Sequence, residues 1–319
     1  MGIGTIILEI TAPVLESIAP LIPGEVFPYF FTMELFQRAL VASIIVTIVA
    51  GFLGSFLLIK NLALIGDGLA HVSFGGVAIG IVLGAAAPLW YALFFSVISA
   101  VLIHEMQTRE ILTGDASIAI FLTGMLALGL VVLRLDMAFD IPFYGTIEIN
   151  GGGVTTDIEG YLFGSLLLID EDSLDLIATI SIISIICLVM MYSGLLATSI
   201  DPLAARIQGL PVRRIGLFFS IITAAVVVSM VQIVGTLLVT ALLVTPAATA
   251  QLVGRSFRSC VIWTQIFGFT SVILGLYYSA ELKTGSGSMI ALVAAIIFGS
   301  VAILQTIVKL LIKPKDNFS

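Results

Sequence analysis

Apolar runs of 18 to 25 residues recur along the chain, and nothing in it constrains the fold more. Leu35–Ile59 is the clearest of them, with Arg38 as its single charged residue. At about 1.5 Å of rise per residue, such a run crosses a hydrocarbon core of about 30 Å with some tilt. Backbone N–H and C=O groups must bond internally in lipid, so each run predicts a helix. Taken in order, the predicted spans are 35–59, 66–84, 88–106, 116–133, 174–198, 215–233, 235–253, 257–280 and 288–312.

Composition agrees. Hydrophobic residues make up 60% of the chain and charged residues 10%, against about 25% charged in soluble domains. The chain therefore reads as an all-α polytopic membrane protein of about eight or nine transmembrane helices. No polar stretch is long enough to bury a core of its own. The longest interruption, 135–172, contains Gly151-Gly152-Gly153, expected to be a flexible turn, and an apolar segment at 161–169 too short to span. Cys187 and Cys260 lie in apolar runs, which argues against a disulfide framework. A net charge of −7 argues against nucleic acid as a partner.

Residues 1–32 form an N-terminal extension to a transmembrane domain at 33–313. Glu9, Glu16, Pro13 and the want of a basic leader argue against a cleaved signal peptide. The extension is expected to be extracytoplasmic or to lie on the membrane surface as an amphipathic helix over 2–22, with Pro20, Pro23 and Pro28 marking a loop. Placing the 200–214 loop in the cytoplasm puts 10 of 13 basic residues inside and 14 of 20 acids outside. That orientation leaves the N-terminus outside, the C-terminus inside and an acidic outer face, which would concentrate cations or simply keep the loops wet.

Within this apolar background stands Gly66-Asp67-Gly68-Leu69-Ala70-His71-Val72-Ser73-Phe74-Gly75-Gly76. Four residues apart on a helix, Asp67 and His71 leave from one face. Ionisable side chains at membrane depth are costly and mark transport pathways; the alternative is a helix entry capped by Asp67, with His71 bonded to a neighbour. The span count puts the pair at the cytoplasmic start of the second span. Gly76, Gly80 and Gly84 repeat every four residues, a ladder that lets helices approach closely. In 200–214, Asp201 can cap a helix beginning at Pro202, and Gly209 can stop it before Pro211. Such a free-standing cytoplasmic helix suits docking onto a soluble motor, or is an interfacial turn. His104-Glu105 opens like a zinc-hydrolase helix, but Thr108 stands where the second histidine belongs, and a polar collar is the simpler reading. No glycine is followed by lysine, so the chain has no phosphate loop.

Leu58–Gly80, Tyr161-Leu-Phe-Gly-Ser-Leu-Leu, Ile200–Val212, Gly235–Leu252 and Lys283–Phe298, in that order and spacing, resemble the membrane subunit of metal-type ABC importers. These are permeases for zinc, manganese or ferrous iron, of the metal/cobalamin/siderophore-like type. The resemblance implies a homodimer in the cell membrane, cytoplasmic ABC ATPase subunits that bind ATP, and an extracytoplasmic metal-binding protein. It implies that the chain itself catalyses no reaction and holds no resident cofactor. It assigns metal contact to Asp67 and His71, and the ATPase contact to Asp201, Pro202, Ala204, Gly209 and Pro211. One carboxylate and one imidazole suit Mn²⁺, Fe²⁺ or Zn²⁺, and no nearby thiolate favours monovalent copper. The rival readings are a secondary cation transporter or channel working without ATP, and an intramembrane hydrolase using His104 and Glu105.

Overall fold

The computed structural model describes residues 2–85, 87–141, 145–150, 164, 169–236 and 239–312. Its helices are α1 (Ile3–Ile18), α2 (Tyr29–Thr32), α3 (Glu34–Ile59), α4 (Ile65–Val82), α5 (Pro88–Thr108) and α6 (Gly114–Val132), then α7 (Glu171–Met190), α8 (Tyr192–Ile200), α9 (Pro202–Ile207), α10 (Val212–Val234), α11 (Val239–Val253), α12 (Phe257–Leu282) and α13 (Ser286–Ile312). Among the described residues nine helices are long and apolar enough to cross a membrane. The chain is a multi-pass membrane protein, nearly all helical.

Three features differ from the predicted spans. The expected span at 174–198 breaks at Met191 into α7 and α8. The expected span at 235–253 becomes α11, 15 residues long, which covers only about 22 Å. The interruption after α6 holds a hairpin, β1 (Asp136–Ile141) antiparallel to β2 (Gly145–Asn150), with Met137 opposite Ile149. The Gly151–Gly153 turn lies outside the described residues.

Ile3–Leu21, α1 with the 3-10 turn that follows it, is long enough to span yet runs across one end of the bundle. Near its start, Thr5 donates from both its backbone N–H and its hydroxyl to Asp175 Oδ1 at 2.7 Å, in the second turn of α7. Beyond its other end, Glu281 in the last turn of α12 accepts from the N–H groups of Glu25, Val26 and Phe27 at 3.2, 3.0 and 2.9 Å. Between these clamps the first turns of α3 and α7 are joined by Arg38, which donates to Glu34 and, at 2.6 Å, to Glu171. Thr5, Glu9 and Glu16 along α1 line one cavity with Glu34, Glu171 and Asp172, so both ends of α1 sit at this acidic end, whereas a crossing helix would put them on opposite sides.

The opposite end is basic. Glu105 near the end of α5 accepts from Arg109 and from Arg213 at the start of α10. Phe56 near the end of α3 packs against Phe257 at the start of α12, ring centroids 4.8 Å apart. Lys60 Nζ lies 5.5 Å from the Phe219 ring, and burial lowers its pKa.

Helix α4 is the best enclosed: 15 of its 18 residues are buried, and Asp67 is one of the three exceptions. Lipid offers no hydrophobic drive for helix association, so close backbone approach must supply the attraction. A Cβ on Gly76 would lie 2.7 Å from Ala92 Cα of α5, and one on Gly75 would lie 2.5 Å from the Met125 carbonyl of α6. Gly80 faces Pro88 at 3.1 Å. Gly84 does not continue this ladder. It falls beyond α4, has φ +68° and has nothing within 4 Å of a would-be Cβ, so its place is in the turn.

Candidate metal pathway and ATPase-docking helix

Asp67 is the third residue of α4 and stands inside the helix. Leu64 occupies the cap position, so Asp67 is not the helix's cap. His71 Nε2 lies 3.8 Å from Asp67 Oδ1, with side chains 11% and 35% exposed respectively. At about 100° per residue, the pair projects between two covered sectors. Gly66 faces Leu243 and Thr240 of α11, and Gly75 faces α6. Gly76 and Gly80, against α5, point roughly the other way. Among the described residues, Asp67 and His71 thus face the gap between α6 and α11.

Their depth differs from the sequence expectation. Leu69, between them, has its carbonyl 3.5 Å from Ser96 Oγ of α5. Ser96 precedes the last residue of α5 by 12 positions, about 18 Å along the axis. The pair therefore lies near mid-bundle rather than at the basic rim, because α4 begins well inside that end.

His71 Nδ1 is buried with no hydrogen-bond partner among the described residues, as are Thr236 Oγ1 and Thr240 Oγ1 around the start of α11. An unsatisfied buried donor or acceptor costs about 1–3 kcal/mol, so the open His71 Nδ1 suits a water or an ion as its partner. Thr240 also borders the start of α4, 3.8 Å from a would-be Cβ on Gly66. Both threonines lie in the Gly235–Leu252 motif, spaced by four in an aliphatic run, but nothing in that spacing shows them unpaired. Among the described residues no group of three or more His, Cys, Asp or Glu side chains could hold a metal ion. One chain thus offers two such donors, a set suited to brief contact and incomplete as a tight site.

At the basic end the short helix α9 is closed at both ends by local chemistry. Asp201 Oδ1 accepts from Leu203 N and Ala204 N, each at 3.0 Å, and Pro202 fills the first position, where no N–H is needed. Gly209 takes φ +81° and Leu210 N bonds back to the Ala205 carbonyl at 3.0 Å, a left-handed stop. Pro211 caps α10. Ala205 anchors the helix by its burial, whereas Leu203 and Ile207 are 73% and 87% exposed. Ala204 lies half-buried on the same short helix.

The polar collar ties this region to the core. His104 Nε2 is 3.1 Å from the Arg213 carbonyl, and Arg213 donates to Glu105 Oε2 at 2.7 Å. Both residues named for the hydrolase reading are engaged in joining α5 to α10. Of the Tyr161–Leu167 stretch, Gly164 alone is described. It lies against the α10–α11 break, where a Cβ would come within 2.6 Å of the Ile233 carbonyl.

Comparison with known proteins decides the class. Residues 32–305 match the ABC 3 transport family. The chain belongs to that family, the metal-type ABC permeases that its motifs resemble. It is 32% identical over 262 residues to the manganese transport system membrane protein MntC of Listeria monocytogenes, covering 82% of this chain and 88% of that one. To the manganese import system permease protein ScaB of Streptococcus gordonii it is 28% identical, covering 88% and 92%. The structure of PsaBC from Streptococcus pneumoniae in complex with Fab superposes with TM-score 0.71 at 30% identity, over 84% of this chain and 90% of that one. A metal-chelate type ABC transporter described in an inward-facing conformation shares the fold, with TM-score 0.69 at 18% identity over 93% and 97%. Like its relatives, this ABC permease is a membrane transport subunit.

Proposed function

We propose that the chain is the membrane subunit of an ATP-driven importer for a divalent transition metal ion, with Asp67 and His71 as its contacts to the moving ion. The observation that carries this is the placement of that pair: an acid and an imidazole at mid-bundle depth, on a sector of α4 between those that face α6 and α11 among the described residues. Two relatives are named for manganese, and Mn²⁺ is the first candidate ion; the same donors also accept Fe²⁺ and Zn²⁺.

A second copy of the chain facing this gap would supply a second Asp67 and His71. Four donors shared across a two-fold axis, with water, would complete a shell that opens when the subunits part. ATP binds and is hydrolysed on separate ATPase subunits. Their motion reaches the membrane through α9, by way of Asp201, Pro202, Ala204, Gly209 and Pro211, and the change of exposure follows alternating access. A metal-binding protein docks at the acidic end, which faces outward, and α1 of the extension lies there along the membrane surface.

Reconstituted complex tests the reading directly. Asp67→Ala and His71→Ala each abolish Mn²⁺ uptake while the permease still copurifies with its ATPase. Undiminished uptake in both variants refutes the pathway. Stimulation of ATPase activity by Mn²⁺, Zn²⁺ and Fe²⁺ in parallel ranks the cargo.

A further inference from the structure

A groove of about 440 Å³ opens on the flank of the bundle near the basic end, within the range of roughly 300–1,000 Å³ that ligand pockets occupy. Its walls are Phe52 of α3, Val189 and Tyr192 on either side of the α7–α8 break, and Arg258, Val261 and Ile262 in the first turns of α12. The notch lies beside Met191, where α7 ends and α8 begins. Val189 and Ile262 are 58% and 60% exposed, so the apolar wall faces outward. Tyr192 is held in place from behind by Phe56 and Phe257, with ring centroids 5.9 Å away in both cases.

Charge identifies the occupant. Arg258 is the charged residue of the lining, and no carboxylate accompanies it. It makes no ion pair or hydrogen bond among the described residues. It also stands in the first turn of the 26-residue α12, whose positive helix end adds to the field. An apolar slot running along the membrane flank, with an unpaired guanidinium at headgroup level, matches an anionic phospholipid: acyl chain in the slot, phosphate on Arg258. We propose that this groove is a binding site for an anionic phospholipid of the leaflet at the basic end. The seat is one short helix away from α9, since Tyr192 opens α8 and α8 runs directly into the Asp201 cap.

The test uses the complete transporter complex, purified in mild detergent and mixed with phosphatidylglycerol or phosphatidylethanolamine before native mass spectrometry. The wild type retains phosphatidylglycerol in preference. Arg258→Gln lowers that retention about fivefold, the worth of one basic residue near an anionic surface, and Val189→Trp, which fills the slot, abolishes it. Inorganic phosphate at equal concentration does not compete. Equal retention of the two lipids, no change in either variant, or displacement by phosphate alone each overturns the proposal. So does efficient disulfide dimerisation through Ile262→Cys, which would place a second copy on this face.

Discussion

Replacing Gly76 by alanine tests how α4 is held, and the structure sets the size of the effect. The new Cβ would lie 2.7 Å from Ala92 Cα and 2.8 Å from the Tyr91 carbonyl, about 0.7 Å short of ordinary contact at 3.4 Å. Neither atom is at the end of a flexible side chain, so relief requires α4 and α5 to separate. Sideways retreat is blocked by Gly75, which already faces the Met125 carbonyl of α6, so the direction left open is the one that Asp67 and His71 face. Overpacking of this kind costs about 1–3 kcal/mol, against a gain of up to about 1 kcal/mol from exchanging glycine for alanine in a helix. Gly76→Ala is therefore destabilising by about 1–2 kcal/mol. At Gly80 the shortfall is only about 0.3 Å, to Pro88 Cα at 3.1 Å, so there the propensity gain offsets the clash and the variant is near neutral. The assay is the apparent melting temperature of the purified complex, followed by Mn²⁺ uptake in proteoliposomes. Gly76→Ala lowers both, because any shift of α4 away from α5 carries Asp67 and His71 into the gap they face. A Gly76→Ala protein as stable and active as the wild type refutes the packing argument. Equal damage from Gly80→Ala refutes it too.

Two further outcomes concern α9 and the orientation of the bundle. Asp201→Ala removes two hydrogen bonds from a six-residue helix, a loss of about 1 kcal/mol, and Gly209→Val forces a β-branched residue to φ +81°. Each uncouples ATP hydrolysis from transport without loss of membrane insertion, seen as metal-independent ATPase activity; normal coupling in both removes the docking role. Asp172→Cys, in the first turn of α7, reacts with an impermeant thiol reagent applied outside intact cells. Reaction from the cytoplasmic side alone inverts the topology.

Sequence by itself determined the helices, because membrane-length apolar runs leave the backbone no other way to satisfy its hydrogen bonds. It also determined α9 in detail: Asp201, Pro202 and Gly209 act through bonds within a few residues, so their roles are local and readable from spacing. The ordered motifs carried the family for the same reason that they carry the fold. What depends on relations between helices was not legible. That the first helix lies flat was expected from its pattern, but what it lies on was not: Asp175 and Glu281 hold the segment at its two flanks across the bundle end. A span count places α4 at the membrane edge, but its true depth comes from its register against α5. Gly84 continues a four-residue spacing on paper, yet the helix ends at Val82. The direction in which Asp67 and His71 face follows from which helices occupy the other sides of α4, and only the tertiary structure assigns those neighbours.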